Sequence, residues 1–170
     1  MKGSGTTTPQ SDARLLEVLD ASDLVGSSAL VWLRDHAQDA MNLLGITGEV
    51  RVRIVGDSDM AAAHERYSGI PGTTDVLTFD LRDANQAGAA GSGGPLDTDI
   101  WICADEAQRE ASARGLTVER ELLLYIVHGI LHCLGYDDHD EGSHRAMHAE
   151  EDRILAAIGR LLYTSDAADE

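Results

Sequence analysis

His128 and His132 stand four residues apart in the run His128-Gly-Ile-Leu-His132-Cys-Leu-Gly135-Tyr-Asp-Asp-His139. That spacing puts two imidazoles on one helix face, where both can reach a single metal ion at about 2 Å. Gly135 can take the left-handed conformation that ends a helix, so the following loop turns back toward the pair and offers a third ligand. The usual three-histidine arrangement leaves five residues between the second and third ligands, a position held here by Asp138, with His139 one further on. Either can bind zinc; His139 is favoured, because the other ligands are imidazoles and a loop absorbs one extra residue. Three neutral ligands would leave one zinc ion its full double charge and an open coordination position, the catalytic type of site rather than the closed structural type.

Two histidines at helical spacing are not by themselves a site, and the chain carries its own control. His144 and His148 are also four apart, but in a polar, charge-rich segment that reads as a solvated helix face. The first pair lies within Leu122 to Leu134, apolar almost all round and therefore buried, where histidines need partners. Cys133 follows a ligand directly, faces about 100° away on the helix, and reads as core. Zinc peptidases carry a glutamate general base immediately after the first histidine. This chain has Gly129 there, which argues against peptide hydrolysis and leaves Asp137 and Asp138 as nearby candidates for a base.

The run from His128 to Asp137, closed by a histidine, resembles the signature of the YbeY family. Thr74-Asp-Val-Leu-Thr-Phe79 is similar to that family's Thr-Asp-Val-Leu-Ser-Phe strand, and Leu96-Asp-Thr-Asp-Ile-Trp-Ile102 to its Leu-Gly-Asp-Ile strand. The resemblance covers roughly residues 48 to 158. The resemblance implies a zinc-dependent, single-strand-specific endoribonuclease of rRNA processing, acting in 16S 3′-end maturation and ribosome quality control; a cytoplasmic location is expected from the cysteine usage and the lack of a membrane span or signal peptide. Its implied partners are single-stranded rRNA, the ribosomal subunit and assembly proteins. It also implies an RNA-contacting arginine, whose place is taken by Ser68; Arg66, two positions early, is the candidate, beside Asp137, for a catalytic role. Thr74 and Asp75 are expected to shape the site. Two other readings share the ligand pattern: a zinc metallopeptidase-like hydrolase, and a non-catalytic zinc-containing ribosome-assembly factor.

An α+β fold must position these residues: a small mixed sheet packed against helices, with the metal-bearing helix buried at its centre. Strands are expected at Leu15–Leu19, at the strictly alternating Glu49–Val55, at Asp75–Leu81 and at Asp99–Ala104. Helices are expected over Ser27–Leu44, Asp57–Tyr67, Asp105–Ala113 and Glu141–Ile158, with Thr117 capping the metal-bearing helix. Asn85 to Pro95, rich in glycine, reads as a surface loop with no phosphate-cradling pattern. The 170 residues suit one domain over residues 1–160, with 161–170 an appended or disordered tail. Two cysteines make no disulfide framework, and neither a membrane span nor a signal peptide's apolar region is present. Thirty acidic against thirteen basic residues give a net charge of −17, which opposes indiscriminate binding of a polyanion. Arg51, Arg53 and Arg66 are expected to line a cleft while the acidic residues occupy other faces.

Overall fold

The computed structural model describes residues 14–83 and 95–167, with side chains over 15–83 and 95–160. Four strands, β1 (Arg14–Asp20), β2 (Gly48–Val55), β3 (Val76–Asp80) and β4 (Leu96–Cys103), form one sheet in the order β1-β2-β4-β3. β2 runs parallel to β1 and to β4, and β3 lies antiparallel to β4 at the edge. Parallel neighbours need a crossover, which α1 (Ser27–Leu44) supplies between β1 and β2. Four further helices complete the α+β architecture: α2 (Asp57–Ser68), α3 (Ala104–Arg114), α4 (Val118–Cys133) and α5 (Glu141–Ala167).

β4 starts three residues before the expected Asp99. Asp97 and Asp99 suggest a loop when read alone, yet they alternate with the buried Leu96, Thr98 and Ile100, and their carboxylates meet Arg51 on the opposite face of the sheet. The last helix was expected to end near Ile158, but its backbone continues through Ala167. The expected tail thus overlaps that helix, and the side chains from 161 onward lie outside the described residues. So do residues 84–94, which hold nearly all of the expected glycine-rich loop, and the polar start of the chain.

α4 is the element that the rest of the fold packs around. It touches β3, β4, α1, α3 and α5, and Leu122, Ile126, Ile130 and Leu131 on it are fully buried. Gly129 lets it settle on the sheet: a β-carbon there would lie 3.0 Å from Ile100 Cγ2 and 3.1 Å from Thr78 Cγ2. Thr117 occupies the N-cap position as expected, but its side chain makes no capping hydrogen bond. At the other end Gly135 has φ 98°, its N–H donates to the His132 carbonyl (3.0 Å), and the Tyr136 N–H donates to the Leu131 carbonyl (3.1 Å). Arg82, paired with Asp80, donates to the Cys133 carbonyl at 2.6 Å, satisfying another terminal acceptor. The path of the chain out of α4 is therefore fixed by several bonds. Cys103 and Cys133 are both free and buried, with Cys133 Sγ 3.2 Å from Thr98 Oγ1, in the core. Among the described residues no helix is long and apolar enough to cross a membrane.

Candidate metal centre

Glu121, Tyr125, His128 and His132 recur at intervals of four, three and four along α4 and so share one stripe of it. His128, Tyr125 and Glu121 line a cleft of about 930 Å³, joined by Thr74 and Asp75 from the loop before β3, by Asp138, and by α5. α5 contributes Glu151, a carboxylate only 3 % exposed. One Glu151 oxygen accepts from His128 Nδ1, and the other lies 3.2 Å from His148 Nδ1. A hydrogen on His128 Nδ1 leaves the lone pair on Nε2, and that atom faces His132 Nε2 at 3.0 Å. Two ring nitrogens so spaced suit metal–nitrogen bonds of about 2.0–2.1 Å, and the carboxylate behind one of them is the usual outer support of a metal-binding histidine.

Asp138 completes the group: one ligand atom from each of His128, His132 and Asp138 lies within 4.8 Å of the others. These three residues can hold a metal ion. His139, the expected third member, is exposed and is not brought into the group. The reason is the rigid exit from α4. With the Gly135 and Tyr136 N–H groups bonded back to the helix, the chain from His132 has no slack before residue 138, so the extra residue is taken up after that position.

Asp137 and Arg66 also fall elsewhere. Asp137 Oδ1 accepts the His139 N–H at 3.2 Å, stabilising the loop. Arg66 lines a different groove, with Arg53, Tyr67 and Trp101. The cations that line the metal cleft are Arg114 and Arg120. Arg51, expected in a cleft wall, is occupied by Glu49, Asp97 and Asp99. His144 and His148 are exposed, as expected of a surface pair, although His148 also reaches the rim of the cleft and Glu151.

The two imidazoles are pushed in opposite directions. Burial lowers the basicity of His128, but the Glu151 hydrogen bond and charge, with Asp75 and Asp138 adding, outweigh it and leave the pKa raised. Burial and then the neighbouring His128 lower that of His132. Further along the stripe, burial and then the charge of Glu121 push the Tyr125 phenol well above its ordinary value, so it keeps its proton.

Glu121 is 2 % exposed, and burial raises its pKa against the pull of Arg114, whose nearest nitrogen is 3.7 Å away. A carboxyl raised in the folded state adds stability that is fully present below its unfolded pKa and lost as pH climbs through the folded one. Glu121→Gln does not titrate. It is expected to melt a few degrees above the wild type at pH 8, with the advantage shrinking toward pH 4.5; an equal difference at both pH values would refute this account of the buried charge.

Gly129 gives the missing glutamate a steric reason. The position faces Ile100 and Thr78 across the helix–sheet interface, with no room for a longer side chain. Gly129→Glu is expected to cost about 3 kcal/mol or more through overpacking and a buried carboxylate, and to create no peptidase; a thermal melt and a peptide-cleavage assay check both parts.

The chain is similar to known proteins over most of its length. The family model of endoribonuclease YbeY matches residues 26–159. Endoribonuclease YbeY of Frankia alni is 39% identical over 132 residues, 75% of this chain and 72% of that protein. The Thermobifida fusca protein of the same name is 38% identical over 135 residues, covering 78% and 86%. By shape, the solution structure of a Thermotoga maritima protein matches with a TM-score of 0.58 at 23% identity, over 93% of this chain and 96% of that one, and shows the same fold. The match over most of its length, together with the sequence identities, makes this chain a member of the endoribonuclease YbeY family.

Proposed function

We propose that the protein is a zinc-dependent endoribonuclease that cuts single-stranded rRNA in the cytoplasm, during 16S 3′-end maturation and ribosome quality control, with ribosomal subunits and assembly proteins as partners. The observation that carries this reading is the buried Glu151 behind His128, which aims one Nε2 at the other beside the Asp138 carboxylate. We assign one zinc ion to His128, His132 and Asp138. When bound, zinc supplies Lewis-acid polarisation of the scissile phosphodiester and charge to balance its transition state.

The chain's own residues supply the rest. Glu151 holds His128 in one tautomer and orientation. Asp75 Oδ1 accepts the Val76 N–H at 2.8 Å and lies 3.4 Å from the Thr74 hydroxyl, which shapes the wall opposite α4 and leaves a second carboxylate oxygen for a proton or a water. Arg120, exposed on the cleft wall and without an ion-pair partner among the described residues, takes the phosphate-contacting role that Ser68 cannot fill. The non-catalytic assembly-factor reading differs in one consequence, since a structural zinc would hold the fold together.

The test is cleavage of matched single-stranded and duplex rRNA fragments by the wild type and by His132→Ala, with metal analysis and circular dichroism on both. The expected result is cutting of the single strand alone, and a folded, metal-depleted, inactive variant. An unfolded His132→Ala would favour the assembly factor. A metal-free variant that still cuts would overturn the assignment of zinc.

A further inference from the structure

The face of the sheet turned away from α4 carries a second groove that the metal centre does not use. Side chains alternate across a strand, so Val52, Ile54, Ile100 and Ile102 point into the core, while Arg51, Arg53 and Trp101 point outward. α2 covers one end of that outer face through Val55, Met60 and Cys103. Beside this contact runs a groove of about 340 Å³, lined by Arg53, Arg66, Tyr67 and Trp101.

The groove sets arginines beside aromatic rings. The Arg53 guanidinium stands 5.3 Å from the Trp101 ring centroid and that of Arg66 stands 5.4 Å from Tyr67. Phe79 bridges the two rings edge to face, at 5.0 Å from Tyr67 and 6.0 Å from Trp101. Arg51, next along the same face, is neutralised by three carboxylates. Arg53 and Arg66 differ: among the described residues neither has an ion-pair partner, although Asp59 lines the same groove. Two arginines without an ion-pair partner among the described residues, set beside aromatic rings in a chain of net charge −17, form a local basic patch within an acidic body.

The groove also adjoins the metal cleft through one loop. Thr73, Thr74 and Asp75 line the cleft. The same loop is tied to β4, where the Asp75 carbonyl accepts the Cys103 N–H at 2.9 Å two residues beyond Trp101, and to α2, where His64 Nδ1 lies 2.8 Å from the Gly72 carbonyl.

We propose that this groove is a second binding site for single-stranded RNA: Arg53 and Arg66 meet phosphates, bases stack on Tyr67 and Trp101, and the strand continues around the loop of residues 69–75 to the metal centre. The inference rests on the endoribonuclease reading. Unpaired bases expose the ring faces that such rings hold, whereas a duplex hides them, so the site selects single strands by stacking.

The experiment uses the metal-loaded full chain and a fluorescein-labelled 2′-O-methyl phosphorothioate oligouridylate of about fifteen nucleotides, which resists cleavage. Anisotropy titrations at several salt concentrations compare the wild type with Arg53→Ala/Arg66→Ala and with Arg109→Ala/Arg153→Ala. The last variant removes the same charge from ion pairs elsewhere on the surface. The expected result is about a tenfold loss of affinity for the groove variant, a salt slope shallower by about 1.4 for two phosphate contacts, and wild-type behaviour of the control. A duplex of the same length should bind the wild type and the groove variant equally. Trp101 emission, read in a Trp32→Phe background where it is the remaining tryptophan, should be quenched by the single strand. No binding by the wild type, equal binding by wild type and groove variant, or equal weakening in the control each overturns the proposal. A chain that binds through the groove but cuts no RNA would instead refute the nuclease reading, and one that cuts RNA with a groove variant of undiminished affinity would refute only the groove.

Discussion

Asp138→Ala is expected to weaken zinc binding by more than about 100-fold, beyond what the loss of an outer support costs, and to remove RNA cleavage with it. His139→Ala is expected to keep the ion. The contrast comes from backbone geometry rather than from ligand preference. The Gly135 and Tyr136 N–H groups are bonded to the last turn of α4, so counting from His132 leads to residue 138, and Asp138 is the side chain grouped with the two imidazoles. Competition against a chromophoric chelator measures the affinity in each variant. Zinc held by Asp138→Ala and lost from His139→Ala would return the third position to the histidine. Asp138→His is the informative gain, because it places an imidazole at the same point of the chain and is expected to bind zinc without any change in the loop.

Glu151→Ala should cost about 10- to 100-fold in metal affinity although Glu151 is not a ligand. Its two oxygens engage His128 and His148, and it is buried, so nothing else described in the cleft substitutes for it. Without it His128 can turn its ring or exchange tautomers, and the lone pair no longer points steadily at His132. Glu151→Gln separates orientation from charge. The amide oxygen can still accept the Nδ1 hydrogen, so this variant should recover most of the affinity if orientation is the main contribution. If glutamine and alanine are equally weak, the negative charge matters more than the hydrogen bond. Circular dichroism on both variants guards against a loss that is simply unfolding.

The parts of this architecture with a local signal were legible from the residues. α1 runs from Ser27 to Leu44 as expected, because its apolar spacing and the glycine at 45 are local features. The four-residue spacing of His128 and His132 is likewise a property of one helix. The sheet order is different in kind, since the pairing of β2 with both β1 and β4 joins segments far apart in sequence and no local pattern encodes it. Glu151 was missed, yet a signal existed. It sits on one stripe of α5 with Met147, Ile154 and Ile158, all buried, so a carboxylate at an apolar position marked it as a partner for a buried cation or imidazole. His139 was favoured over Asp138 because residue type was weighed above residue count. Arg66 was read from its nearness to a motif position, and a shift of two residues on a helix turns a side chain to another face, here toward Trp101 rather than the metal cleft.

The carboxylate at position 138 also bears on which metal the centre prefers. Imidazoles are borderline ligands that suit zinc, copper, iron and nickel, whereas an aspartate oxygen is hard and tolerates manganese and ferrous iron well. Two imidazoles and one carboxylate with open positions therefore discriminate less sharply than three imidazoles do, and the ion that occupies such a centre follows the supply of metals in the cell as much as intrinsic affinity. In the proposed centre, the aspartate at position 138 would thus tie the fidelity of metallation to the metals available to the cell.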